Sequence, residues 1–139
     1  MNNFIIAEQF LKQNDKVQKT FLDWWKPRFG DIFTTKKIND EIDIIVDTTN
    51  FYIFSLNANF VNAGTTAVEN KLEPFPLLQM HQLINFIEDK GYIWNKRGVY
   101  LDVDYILNGK YIGGYSVKLD NHSLLQALWQ VACKIAEDI

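Results

Sequence analysis

VYLDVDYILNGKYIGGYSVKL, Val99–Leu119, carries two alternating runs on either side of Asn108-Gly109. Asn-Gly between alternating apolar residues signals a hairpin, usually with a two-residue turn. Such a turn sets Leu107 opposite Lys110, Val103 opposite Gly114 and Leu101 opposite Ser116, so the apolar residues of the two strands fall on opposite sides. Burial forbids that, because a one-residue slip moves every side chain to the other face. A three-residue loop, Leu107-Asn108-Gly109, with a left-handed glycine in a bulged turn removes the conflict. It predicts Val99, Leu101, Val103 and Tyr105 on one face with Tyr111, Gly113, Tyr115 and Val117. Tyr100, Asp102, Asp104 and Ile106 then share the other, wetter face.

One apolar face needs a cover, and the flanking segments supply it. After the hairpin, Ser123–Ile139 reads as an amphipathic helix with Leu124, Leu125, Leu128, Ala132, Ile135 and Ile139 inward, capped by Asp120, Asn121 or Ser123. Before it, Pro74-Phe75-Pro76 predicts the start of a helix over Leu77–Lys90, with Met80, Leu83, Ile84 and Ile87 as its stripe and Gly91 as its stop. Tyr92–Trp94 is a short strand and Asn95-Lys96-Arg97-Gly98 a turn. The result is an α-β-β-β-α unit with both helices on one sheet face.

Further upstream the period changes twice. Asn3–Gln13 and Lys16–Trp25 read as two short helices separated by Asn14-Asp15, with Lys26-Pro27 ending the second. Asp31–Lys36, Ile42–Val46 and Phe51–Phe60 read as strands, the last two alternating. The expectation is one extended antiparallel sheet. Residues 62–73 have no clear period and read as a loop, so the chain is taken as one α+β domain over 1–139 with sub-units 1–61 and 74–139.

Composition narrows the function classes. With 139 residues, 47% hydrophobic and 22% charged, the chain is of ordinary globular make-up. No apolar run approaches the ~18–20 residues of a membrane span, and MNNFIIAEQFLKQND has no basic segment before an apolar one, so neither membrane nor leader is expected. The single cysteine, Cys133, fits a reducing, cytoplasmic setting. Met1–Lys37 holds seven Lys/Arg against four Asp/Glu, whereas Ile38–Ile139 holds seven against thirteen. The larger part would repel a phosphate backbone; only Lys12, Lys16, Lys19, Lys26 and Arg28 offer a basic region, which leaves nucleic acid as a third-ranked partner.

No catalytic set, metal centre or cofactor motif is expected. His81, His122 and Cys133 lie on different elements without metal-ligand spacing, and no Gly-x-Ser-x-Gly or phosphate loop occurs. Cys133 has no histidine beside it and reads as a semi-buried structural thiol. Asp102 and Asp104 share a strand face about 7 Å apart, which suits solubility unless a cleft encloses them. Together with His81 and a pocket beside residues 62–73 they form the enzyme or small-ligand alternative. FLDWWKPRFGDIF, Phe21–Phe33, is the remaining candidate. Neighbouring helical side chains point about 100° apart, so Trp24 is expected in the core with Val17 and Phe21, and Trp25 at its margin near Lys26 and Arg28. Pro27–Phe33 is expected to turn back over the Trp25 ring; the alternative makes Trp25, Lys26 and Arg28 the contact with a partner.

Three stretches carry a resemblance. LDWWKP with Gly30-Asp31, PLLQMHQLINFIE from Pro76 to Glu88, and SLLQALW from Ser123 to Trp129 resemble small proteins of bacteriophages and prophages of low-GC bacteria. The resemblance covers about half the residues and includes no catalytic motif; it implies a phage or prophage setting in a bacterial cytoplasm and no particular activity. The α-β-β-β-α order is also similar to that of double-stranded-RNA-binding domains, which place lysines where the last helix begins. Here that place reads Asp120-Asn121-His122-Ser123, which lacks the phosphate contacts. The expectation is a non-enzymatic accessory protein that binds a protein partner or itself.

Overall fold

The computed structural model describes residues 3–35, 42–48, 52–55, 60–62, 74–119 and 123–139. The decisive hairpin is β7 (Tyr100–Leu107) and β8 (Lys110–Lys118), joined by the two-residue turn Asn108-Gly109. Both turn residues have positive φ, 52° and 77°, the left-handed pair that suits a type I′ hairpin. The expected three-residue loop is therefore not the device used. The correction in register comes from a bulge: Tyr105 pairs with Gly113, but Ile106 with Tyr111, leaving Ile112 as the extra residue. Leu101 then faces Val117 and Val103 faces Tyr115, so the apolar faces match as burial requires. Beyond the bulge the parity flips, and Tyr111, expected inward, lies 65% exposed beside Ile106.

β6 (Tyr92–Arg97) pairs with β7 and completes a three-stranded antiparallel sheet. It runs through Asn95, Lys96 and Arg97, which were expected to turn; the turn is Gly98-Val99, and Val99 is exposed. Helices α3 (Met80–Asp89) and α4 (Leu124–Asp138) lie against this sheet. Ser123 caps α4 by accepting from the Gln126 N–H, and Gly91 follows the end of α3. In α4, Ala127, Trp129 and Val131 are buried as well as Leu125, Leu128, Ala132 and Ile135 of the expected stripe, while Leu124 is half-buried. The reason is a third layer: α1 (Ala7–Leu11) and α2 (Asp15–Trp24) cover its other side. Phe21 of α2 meets Phe86 and Trp129 at 4.7 and 5.2 Å, while Gln9 of α1 donates to Gln126 at 2.6 Å. Met80 and Ile139, expected inward, sit at the ends of their helices and are exposed.

The other strands form a second antiparallel sheet, not an extension of the first. β1 (Ile32–Thr35), β2 (Asp43–Thr48), β3 (Tyr52–Ser55), β4 (Phe60–Asn62) and β5 (Pro74–Pro76) stand in the order β4-β3-β2-β1-β5. Pro74-Phe75-Pro76 is thus a strand, pairing with β1 through Thr34↔Phe75, and not the start of a helix. Proline lacks the N–H a central strand needs, so β5 stands at an edge and the sheet stops there. The helix begins later, at Met80, where the Gln82 side chain accepts from the Gln79 N–H at 2.8 Å. The expected single strand Phe51–Phe60 is two, β3 and β4, paired with each other. On β2 it is Ile45 that is buried, while Ile44, Val46 and, just before the strand, Ile42 are exposed.

Gly114 shows how closely the hairpin strands approach. A methyl there would lie 2.3 Å from the Val103 carbonyl oxygen, whereas one at Gly113 would meet open space. Gly114→Ala should therefore cost about 1–3 kcal/mol in urea unfolding, and Gly113→Ala should stay within about 1 kcal/mol of the parent, on the stabilising side. Equal losses at the two positions would contradict this register.

Candidate functional site

The end of α2 shapes one wall of a cleft. Trp25 N–H closes the helix on the Phe21 carbonyl at 2.8 Å, but Trp25 itself is extended, with φ −67° and ψ 122°. Pro27 ends the helix, since it has no N–H to bond back to the Asp23 carbonyl and holds the residue before it, Lys26, out of the helical region, so the chain straightens after Trp25. With a helical φ and its N–H still bonded to Phe21, Trp25 keeps the side-chain direction of a helical residue, and it is the chain after it, folding back over the ring, that reverses the expected roles. Its ring, 8% exposed, joins Phe33 and Ile45 in a small second apolar cluster. Trp24 is the half-buried one: it stands edge-on to Phe86 at 5.4 Å and donates its Nε1–H to Asp89 at 2.9 Å. The fold-back of Pro27–Phe33 over Trp25 does occur.

Asp31 fastens that fold-back. Its Oδ2 accepts the Trp25 Nε1–H at 3.0 Å and the Arg28 backbone N–H at 3.1 Å. Its own N–H donates to the Arg28 carbonyl, and its carbonyl accepts from Ile45 of β2. One residue thus binds a helix end, a turn and two strands together while being only 8% exposed.

Across from it, α3 presents His81, Asn85 and Asp89 at four-residue spacing, one polar stripe opposite the buried Leu83, Phe86 and Ile87. Between the two walls lies a cleft of about 320 Å³, lined by Trp24, Trp25, Lys26, Arg28 and Asp31 on one side and His81, Gln82, Asn85 and Asp89 on the other. Lys26 and Arg28 are exposed, and among the described residues neither side chain has a bonded or ionic partner. Phe29, next in sequence, is 80% exposed.

The structure thus brings Trp25, Lys26 and Arg28 together with His81, which the sequence had set in a different proposal. Asp102 and Asp104 are not part of it; they lie on the outer face of the β6–β8 sheet, alternating with the buried Leu101 and Val103. Asp102 is committed to structure, accepting from Arg97 Nε and Ser116 Oγ, both at 2.8 Å. The bond from Arg97, then the one from Ser116, hold its carboxyl below the usual range. His122 and the pocket expected beside residues 62–73 lie outside the described residues.

Cys133 is half-buried on α4, and burial, with Glu137 nearby, pushes its thiol up to about 12. That environment suppresses the thiolate on which nucleophilic and metal-binding chemistry depends. Among the described residues, His, Cys, Asp and Glu do not gather in threes, and no helix is long and apolar enough to cross a membrane.

Asp31, Gln82, Asn85 and Asp89 were not singled out from the sequence. Gln79 and Gln82 did carry a signal, the N-cap and N3 spacing of a capping box, hidden because the prolines pulled the expected helix start forward. Comparison with protein families, with curated proteins and with solved structures finds no match to this chain.

Two contrasts test these assignments. Asp31→Ala strands a buried indole N–H and a backbone N–H and should cost about 2–3 kcal/mol in chemical unfolding, whereas Lys26→Glu and Arg28→Glu should each stay within about 0.5 kcal/mol. Cys133 should react with Ellman's reagent at pH 8 far more slowly in the native chain than in guanidinium chloride. Fast native labelling would contradict its protonated, half-buried state.

Proposed function

We propose that the protein acts by binding a protein partner, and that the cleft between Trp24–Asp31 and α3 is its contact site. The observation that carries this reading is the unpaired Lys26 and Arg28 at the cleft rim, with the exposed Phe29 ring beside them. Arginine beside large rings at a formed depression is a combination enriched among residues that dominate interface energies. The lining favours this over a small-molecule site. Small-molecule pockets are mostly apolar, of ~300–1,000 Å³; this cleft is at the bottom of that range and has two rings against seven polar or charged side chains. The resemblance of LDWWKP and PLLQMHQLINFIE to small phage and prophage proteins supports an accessory role of that kind, in a bacterial cytoplasm.

The test is a photo-cross-linker, benzoylphenylalanine, placed at Phe29 in cells that make the protein. A discrete adduct is expected, lost in the Lys26→Glu, Arg28→Glu double variant and kept in a Lys110→Glu control. An adduct of twice the chain mass of 16.2 kDa identifies self-association. No discrete adduct, or one indifferent to the cleft substitutions, contradicts the proposal.

A further inference from the structure

The floor of the cleft has two atoms whose hydrogen-bonding capacity is not used. Gln82 is 6% exposed, and its Oε1 must be the atom that accepts from the Gln79 N–H, since a backbone N–H can only donate. Its Nε2 is then left without a protein acceptor among the described residues. At Asp31, both donors go to Oδ2, and Oδ1 has no protein donor among the described residues. No described side-chain nitrogen or oxygen is both sealed from solvent and without a partner, so these two atoms reach solvent, and the surface their residues line is the cleft. Water can bond these two atoms in the free protein, and a ligand that offers a matching acceptor and donor can take its place at fixed positions on the cleft floor.

The charges around that floor are unevenly committed. Asp31 and Asp89 already accept indole N–H groups from Trp25 and Trp24. Lys26 and Arg28 have no partner among the described residues. An indole N–H leaves a carboxylate its charge, so the lining is balanced overall. Among the described residues, however, the two cations stand at the rim without an ion-pair partner, while the floor asks for one N–H and one carbonyl oxygen. A phosphate on the floor would meet the Asp31 carboxylate, and Trp25 is too buried to offer a base its face. A peptide group offers the N–H and the C=O with no net charge, and acidic side chains flanking it reach outward to the cations.

Resting on the partner-binding reading above, we infer that the cleft takes an acidic segment of a partner polypeptide: a peptide group on Asp31 Oδ1 and Gln82 Nε2, and carboxylates on Lys26 and Arg28. Carboxylate contacts to arginine and lysine are charge-assisted and stronger than neutral hydrogen bonds.

The experiment is a titration of the ¹⁵N-labelled full chain with the capped peptides Gly-Glu-Phe-Glu-Gly, Gly-Gln-Phe-Gln-Gly and Gly-Lys-Phe-Lys-Gly, and with uridine monophosphate. The glutamate peptide should shift the Gln82 carboxamide and Arg28 backbone signals saturably. The glutamine peptide should bind about tenfold more weakly, and the Lys26→Gln, Arg28→Gln double variant should bring the glutamate peptide down to that level. Equal binding of the glutamate and glutamine peptides, a larger shift from the lysine peptide or from uridine monophosphate, or no shift at those signals each overturns the inference. If Phe29 still gives a cleft-dependent adduct in that event, partner binding stands and only the acidic class is lost. If the adduct is absent too, both fall.

Discussion

Asp31 is the joint on which the arrangement depends. α2 is an ordinary amphipathic helix until Pro27 forces it to stop, and a chain leaving a helix can go in many directions. The Asp31 carboxylate selects one of them by holding Trp25 Nε1 and Arg28 N–H on the same oxygen, and its backbone hands the chain to β2 through Ile45. The Trp25 ring then fills the second apolar cluster, and the segment carrying Lys26, Arg28 and Phe29 is displayed opposite α3. Stability and the candidate function thus meet in one side chain, which serves the fold with one oxygen and faces the cleft with the other.

The main core explains why the cleft can be polar. Aromatic stacking between Phe10 and Phe75 at 4.8 Å, and between Phe21, Phe86 and Trp129, fastens the helical hairpin to β5, α3 and α4. With α4 buried on both sides, the apolar face of α3 is fully used, and its His81-Asn85-Asp89 stripe is free to line a wet surface. On the far side of the C-terminal sheet, the Arg97–Asp102–Ser116 chain of bonds serves cohesion between strands in the same way.

Much of this was legible in the sequence wherever burial imposes a period. The α+β class, the helices on one sheet face, the Ser123 cap and the facing of Leu101, Val103, Tyr115 and Val117 all follow from alternation and capping chemistry. What failed was the means by which that facing is achieved. Asn-Gly kept its usual two-residue turn and the chain placed a bulge at Ile112, two solutions that a hydrophobic pattern alone does not separate. The Pro74-Phe75-Pro76 stretch misled because the residue that suits a first helical turn also suits an edge strand. The Trp24–Trp25 exchange has one cause: the Asp31 turn and the strands carrying Phe33 and Ile45 cover Trp25, a long-range packing that helical spacing does not record. Lys26, Arg28 and His81 could be named, but their convergence with Gln82 and Asp31 depends on long-range packing that no local spacing records.

The central claim is that Asp31 and Trp25 act as a unit. A double-mutant cycle in urea with Trp25→Phe, Asp31→Ala and the combined variant measures it directly. The account predicts that the double variant is less destabilised than the two singles together, with a coupling of about 1 kcal/mol or more. Additivity within about 0.3 kcal/mol would mean that the indole–carboxylate contact does not hold the turn, and the cleft built on it would lose its foundation.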